Sequence, residues 1–260
     1  MKALVKSLLH YDRWRDSAPG EVLLYLYSPA AGRSRAAERR FYRSLSPWPR
    51  RWQLVFDVGA NAGAKALVFR RLAKRVLCIE PDATSAAMLQ KRFASDPSIE
   101  ILHAGISDHE GREQFSVLES GSPYNTFSRK WAQARMDASR ADAKTEVSVE
   151  VTTIDRLIER YGVPDYVKID VEGYEETVLR GLSRPVPLLS FEANLPIFES
   201  ETLACVRRLA MLDPSGSFNC AVAEPPHEFR LSSWIGADAM IRELERRNSP
   251  FMEIFWRSSR

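Results

Sequence analysis

Val55-Phe56-Asp57-Val58-Gly59-Ala60-Asn61-Ala62-Gly63 is the stretch that decides the fold of this 260-residue chain. An apolar run ends in an acid and a glycine-rich turn, and a helical pattern with Leu67, Val68 and Leu72 at core spacing follows. A second apolar run, Val76-Leu77-Cys78-Ile79, ends in Glu80, seventeen residues beyond Gly63. A doubly wound parallel sheet uses this order to hold an adenosine ligand at the carboxyl ends of its first two strands.

The turn is not the dinucleotide fingerprint G-x-G-x-x-G, since it reads Asp57-x-Gly59-x-Asn61-x-Gly63. Gly59 permits a tight turn, and Gly63 lets a ligand or a strand approach the start of the helix. Asn61 tolerates a left-handed backbone and adds an amide. Asp57 can order the loop or receive an ammonium group, but it would repel a pyrophosphate. That favours a cofactor with a cationic aminocarboxylate, such as S-adenosylmethionine, over a dinucleotide. Glu80 can accept hydrogen bonds from two ribose hydroxyls. Past the third strand, at Ile99–His103, the segment Ile106-Ser107-Asp108 should pass beside the adenine, with Asp108 accepting from its amino group.

Outward from this core, apolar runs and helical patterns alternate, as a parallel sheet with crossover helices requires. A helix runs from Pro81-Asp82-Ala83-Thr84 through Phe93, and Arg70, Arg71, Lys74 and Arg75 fall in the last turns of the helix before it. Residues 112–118 and 147–153 read as additional strands flanking a polar stretch, 119–146, long enough to be a lid. Tyr166–Asp170 and Leu188–Glu192 are the fourth and fifth core strands. The tail adds a helix near 197–211, a strand near 218–223, a helix near 237–247 and a last strand, Phe251–Trp256.

In Lys168-Ile169-Asp170-Val171-Glu172-Gly173, Lys168 and Asp170 share one side of a strand. The pair reads either as a structural ion pair or as the mouth of a cleft, with Asp170 beside the reacting centre. Glu192 and Asn194 end the adjacent strand, so Asp170, Glu192 and Asn194 together offer oxygen ligands of the kind magnesium takes.

Composition sets the frame. With 45% apolar and 10% aromatic residues the chain can bury a core, and its longest apolar runs fall short of a membrane span, so a soluble, cytoplasmic protein is expected. Cys78, Cys205 and Cys220 form no CxxC pair and read as buried apolar residues. Charge is uneven: residues 1–52 hold eleven Lys or Arg against four Asp or Glu, and the remainder carries a net negative charge although the whole is +3. Residues 1–50 read as a basic, mostly helical extension with breaks at Pro19-Gly20 and Ser46-Pro47-Trp48-Pro49, and 51–260 as the catalytic domain. Arg33, Arg35, Arg39, Arg40, Arg43, Arg50 and Arg51 suit a nucleic acid, an anionic substrate, a membrane surface or simply a solvated helix face, the last being preferred. No interleaved aromatics point to RNA.

Val55 through Gly63, Glu80-Pro81, Val151-Thr152-Thr153-Ile154-Asp155 and Lys168 through Gly173 together resemble the FkbM family of S-adenosylmethionine-dependent methyltransferases. The resemblance spans roughly residues 53–195. It implies a class I methyltransferase fold, Rossmann-like and mostly parallel, with strand order 3-2-1-4-5-7-6 and an antiparallel last strand. It also implies O-methylation, commonly of sugar or natural-product hydroxyls. Ala64-Lys65 departs from the family, which more often has an aromatic or hydroxyl residue after Gly63. Ser120-Gly121-Ser122-Pro123-Tyr124-Asn125-Thr126 resembles the family's serine-rich loop over the cleft, which makes Tyr124 and Asn125, with Lys168, candidates for acceptor contacts.

The residues thus expected to act are Asp57, Gly59, Asn61, Gly63, Glu80, Ile106, Ser107 and Asp108 on the cofactor, and Asp170 in catalysis. Asp170 serves either as the base or, with Mg2+, as a ligand of the ion that acidifies the hydroxyl. The expected acceptor is a small hydroxylated or glycosylated molecule. The alternatives are RNA or protein reached through the basic segment, and a binding module without catalysis.

Overall fold

The computed structural model describes residues 28–46, 50–139, 145–222, 225–246 and 250–259. Residues 1–27 of the basic extension, the Pro19-Gly20 break and Pro47-Trp48-Pro49 lie outside these. A first helix, α1 (Pro29–Leu45), precedes β1 (Trp52–Val58), α2 (Ala66–Leu72), β2 (Ala73–Ile79), α3 (Ala83–Phe93) and β3 (Ile99–Leu102). An insertion follows: β4 (Gly105–Ile106), β5 (Gly111–Val117), α4 (Arg129–Ser139) and β6 (Thr145–Thr152). The chain then runs through α5 (Ile154–Tyr161), β7 (Tyr166–Ile169), α6 (Glu175–Arg180), β8 (Leu188–Asn194), α7 (Glu199–Leu212), β9 (Ser217–Ala221), α8 (Ala237–Glu245) and β10 (Phe251–Arg257).

Seven strands form the main sheet in the order β3-β2-β1-β7-β8-β10-β9. All pair in parallel except β10, which runs antiparallel to both β8 and β9. Counting these seven strands along the chain gives 3-2-1-4-5-7-6, the class I methyltransferase order. Strands buried on both faces must be apolar on both, and β1 is buried at every position but Gln53. Alternation then divides its side chains. Leu54, Phe56 and Val58 join the core under α5, α6, α7 and α8, and Val55 joins the core under α1, α2 and α3; Trp52, at the start of the strand, also joins the second core, out of step with the alternation.

Local signals place the helices. Asp82 caps α3 by accepting from the Ser85 amide at 2.8 Å, and Thr153 caps α5 by accepting from the Arg156 amide at 3.1 Å. One expectation fails here. Lys74 and Arg75 are not in the last turn of α2, because the backbone turns extended at Ala73 and both residues lie on β2, exposed, leaving Arg70 and Arg71 at the helix end. The helix α1 docks on the sheet: Tyr42 is fully buried, edge-on to Phe69, and Phe41 packs edge-on to Phe255. Of the arginines on α1, Arg33, Arg40 and Arg43 face solvent, whereas Arg35 and Arg39 are half-buried. Cys78, Cys205 and Cys220 are free and buried. Among the described residues no helix is long and apolar enough to cross a membrane.

The insertion builds a second, three-stranded sheet in the order β4-β6-β5. Phe115, Phe127, Val149 and Val151 form its own small core, and Phe115 and Phe127 lie 4.7 Å apart between ring centres. This sheet walls one side of the cleft at the carboxyl ends of β1, β2 and β7.

Candidate active site

The cleft, about 470 Å³ including the space open to solvent, is lined by Gly59 and Asn61 of the glycine turn, Glu80 and Pro81 after β2, and Ala104 and Ile106 around β4. Phe115, Pro123, Asn125 and Phe127 of the insertion and Asp170, Val171 and Glu172 after β7 complete it. Its lining combines apolar walls with a few convergent polar groups, as ligand sites do.

The turn is built from β2. The amides of Gly59 and Ala60 both donate to the Ile79 carbonyl, at 3.0 and 3.1 Å. Gly59 has φ +80°, and a β-carbon there would collide with the backbone carbonyl of Asp170, so glycine is what lets β1 and β7 end side by side. Gly59→Ala is expected to destabilise the protein by about 2–5 kcal/mol, from the left-handed backbone and the displaced Asp170 carbonyl. A urea midpoint equal to wild type would contradict this. Asn61 also has positive φ, at 45°. Its amide nitrogen donates to Glu80 Oε2 at 2.7 Å, while its Oδ1 accepts from the Ala62 amide at 2.6 Å.

Glu80 is 5% exposed, and its Oε1 accepts from the Asp82 amide at 2.8 Å. Two backbone donors fix the carboxylate plane, and the remaining lone pairs are free for a diol. Burial raises its pKa to about 7, against the pull of the Asp82 and Asn61 amides. This is a fit for a ribose: two hydroxyl donors would replace the water a buried carboxylate lacks.

At the other end of the cleft, the Asp170 amide donates to the Val58 carbonyl at 2.9 Å, and its Oδ2 accepts from Lys168 Nζ at 2.7 Å. Burial works to raise the Asp170 pKa, but the Lys168 ammonium and a hydrogen bond from Glu192 outweigh it, so the carboxyl is held well below its ordinary range. Burial and the adjacent Asp170 charge push Glu192 far upward. After Asp170 the backbone turns through Glu172, at φ 55°. Glu175 at the start of α6 ties this turn by accepting from the Val171 and Gly173 amides at 3.2 and 3.3 Å. Thr126 ties it to the insertion by donating to the Glu172 carbonyl at 2.9 Å.

Gly59, Asn61, Glu80, Ile106, Asn125 and Asp170 therefore meet at one cleft. The remaining candidates stand elsewhere. Asp57 is 1% exposed below the cleft, level with Lys168 across the β1–β7 pair, and burial raises its pKa to about 7 against the nearby ammonium. The space beside Gly63 is filled by Phe93 and Leu89 of α3, not by a ligand. Ser107 donates to Glu113 and meets the Tyr174 hydroxyl, and Asp108 accepts from Arg180 at 2.9 Å and pairs with His109; neither lines the cleft. Lys168 is 3% exposed and sits behind Asp170, out of an acceptor's reach. Tyr124 is exposed, with the Arg135 guanidinium 3.5 Å over its ring. Asn125 lines the cleft, but its amide is engaged by Asp82, at 3.2 Å, and by the Leu118 amide and Glu119 carbonyl, which makes it the clasp of its own loop.

The carboxylates that gather are Asp170, Glu172 and Glu192, with ligand atoms within 4.8 Å of one another. Three side chains escaped the sequence reading. Glu172 stood inside a quoted motif with no role, and Phe115 and Phe127 were lone aromatics in a polar insertion whose pairing no local pattern shows.

The sequence profile of the methyltransferase FkbM domain matches residues 57–208. No curated protein sequence matches the chain. Among solved structures, a methyltransferase FkbM from Methylobacillus flagellatus KT aligns at 16% identity and TM-score 0.47, covering 98% of this chain and 57% of that one. A precorrin-6y C5,15-methyltransferase from Geobacter metallireducens GS-15 aligns at 9% identity and TM-score 0.45, over 85% of this chain and 86% of that one. A putative RNA methyltransferase from Pyrococcus horikoshii aligns at 10% identity and TM-score 0.41, over 87% and 84%. This chain thus spans little more than half the length of the FkbM structure it matches. The profile, covering more than half of the 260 residues and both ends of the cleft, assigns the chain to the FkbM methyltransferase family.

Proposed function

We propose that this protein moves a methyl group from S-adenosylmethionine to a hydroxyl of a small hydroxylated or glycosylated molecule. The observation that carries the reading is a single cleft with a buried diol acceptor, Glu80, at one end and an ionised carboxylate, Asp170, at the other. When bound, the cofactor supplies an electrophilic methyl on a sulfonium. Glu80 takes the ribose hydroxyls, the Gly59–Asn61 turn lets the backbone approach, and Phe115 and Phe127 exclude water from one side. Asp170 accepts a hydrogen bond from the acceptor hydroxyl and fixes its oxygen for in-line attack, which supplies much of the rate through orientation. Lys168 makes Asp170 a weak base. That suffices, because the hydroxyl proton becomes strongly acidic as the oxygen–methyl bond forms and then passes to Asp170.

Magnesium does not fit these residues. A hard dication needs free ionised oxygen ligands, whereas the Lys168 ammonium already holds Asp170 Oδ2 at 2.7 Å. Methyl transfer is therefore expected to survive treatment with a chelator.

Calorimetric titration with S-adenosylmethionine and with NAD, followed by transfer of labelled methyl to a panel of glycosides and polyols, tests the proposal. Expected are binding of S-adenosylmethionine alone and label in a hydroxyl acceptor. Binding of NAD without S-adenosylmethionine, or label entering RNA or protein but no small hydroxyl compound, would overturn it.

A further inference from the structure

Glu113 of β5 and Tyr174 at the start of α6 do not line the cleft, yet each adjoins residues that do. The Glu113 side chain is 18% exposed. Its Oε2 accepts from the Tyr174 hydroxyl at 2.5 Å, and its Oε1 accepts from the Ser107 hydroxyl. A carboxylate takes one hydroxyl on each oxygen in this way, and bonds of this kind are the strong ones. Ser107 directly follows Ile106, and Phe115 lies two residues beyond Glu113, on the same side of β5. Tyr174 directly follows the Asp170–Gly173 turn, and its ring centre lies 5.4 Å from that of Phe127. Ile106, Phe115, Phe127 and Glu172 all line the cleft. The Tyr174–Glu113 bond thus joins the insertion to the segment leaving β7, across sixty-one residues. A second tie runs from the Thr126 hydroxyl to the Glu172 carbonyl at 2.9 Å. A sheet held at one point can pivot, whereas two points fix its tilt.

On the reading of the cleft as the site of methyl transfer, we propose that Glu113 and Tyr174 are positioning residues. Their hydrogen bond locks the insertion sheet to the turn that carries Asp170 and so sets the width of the cleft. The aromatic wall of Phe115 and Phe127 belongs to the insertion, and Asp170 belongs to the main sheet. Any tilt between the two changes the distance across the cleft, and about 1 Å of misplacement can cost on the order of 100-fold in rate. Packing alone does not prevent that tilt. The Tyr174 and Phe127 rings can slide over one another and stay buried, because burial has no direction, whereas a hydrogen bond has one.

Hydrogen exchange of the full chain is the test, with two variants beside wild type. Tyr174→Phe keeps the ring and removes the donor, and Glu113→Ala removes the acceptor. Both are expected to exchange the β5 and β6 amides about tenfold faster or more, with β1 and β2 within about twofold of wild type. Glu113→Ala/Tyr174→Phe should be no faster than the faster single variant, since both substitutions act through one bond. S-adenosylhomocysteine should bind the single variants within about threefold of wild type, because Glu80 and the glycine turn lie on elements the bond does not touch. Turnover is read with labelled S-adenosylmethionine and the glycoside that takes most label. Tyr174→Phe should lower kcat about tenfold or more, with the KM for S-adenosylmethionine within about threefold. Unchanged exchange in β5 and β6 overturns the lock. Equal acceleration in both sheets, or wild-type kcat in Tyr174→Phe, reduces the bond to a structural one and overturns the positioning role. Failure of wild type to bind S-adenosylhomocysteine would instead sink the methyl-transfer reading, and the exchange rates would still decide the lock.

Discussion

Asp170→Asn is expected to lower kcat by about 10²–10⁴-fold while S-adenosylhomocysteine still binds as in wild type. The side chain keeps its shape, but the amide cannot hold the acceptor hydroxyl as an anion or take its proton. Cofactor affinity is spared because the diol acceptor lies at the far end of the cleft. The substitution also removes the partner that lies 2.7 Å from a buried lysine, so melting must be measured beside turnover. Asp57 and Glu253, whose charges also favour the Lys168 ammonium, remain to limit that loss. The pH dependence follows from the sign of the Asp170 shift. Its folded pKa lies below its ordinary 3.8, so its ionised form, and the stability it contributes, persist above that value and fade only as pH falls below it. No limb of kcat between neutral pH and mild acid should therefore belong to Asp170. Wild-type turnover in Asp170→Asn would remove the residue from the mechanism.

What the sequence made readable was whatever a strand end carries with it. Glu80 and Asp170 follow apolar runs directly, and in a parallel sheet every such end points to the same edge, so the two acids meet although ninety residues separate them. The Asp57–Gly63 turn was legible for the same reason. Parity along a strand limited that reading. Asp57 stands one residue before the end of β1, and its side chain falls under α1 and α2, beside Lys168, instead of into the cleft. Ser107 and Asp108 stand outside the cleft lining for a different cause. After β3 the chain leaves the main sheet to pair β4 with β6, forty-six residues on, and that pairing turns Ser107 toward Glu113. Nothing within the local sequence specifies such a partner. The docking of α1 was hidden likewise, because its arginines dominate the composition while Phe41 and Tyr42, two residues among many charges, determine where it lies.

Glu80→Ala is expected to weaken binding of 5′-methylthioadenosine by about 100-fold or more, since two hydrogen bonds to a charged acceptor are lost at about 1.5–3 kcal/mol each. This ligand keeps the ribose and adenine but has no amine or carboxylate to titrate near neutrality, so it isolates Glu80. In the free protein burial holds the Glu80 pKa at about 7, above its ordinary 4.5. A group raised in this way favours the folded state fully below its unfolded pKa, and that contribution is lost as pH climbs through about 7. The ligand reverses the preference, because ribose hydroxyls donate and the ionised carboxylate accepts them. Affinity should accordingly rise about tenfold per pH unit up to pH about 7 and level off above it. Glu80→Ala should lose both the affinity and the slope. The melting temperature carries the same signature: the shift produced by the ligand should be larger at pH 8 than at pH 5.5 in wild type, and equal at the two in Glu80→Ala. A wild-type affinity that stays flat across this range would mean that Glu80 is already ionised in the free cleft, or that the ribose binds elsewhere. The Ala variant then decides between these, because only an ionised Glu80 in contact with the ribose would still cost affinity on removal.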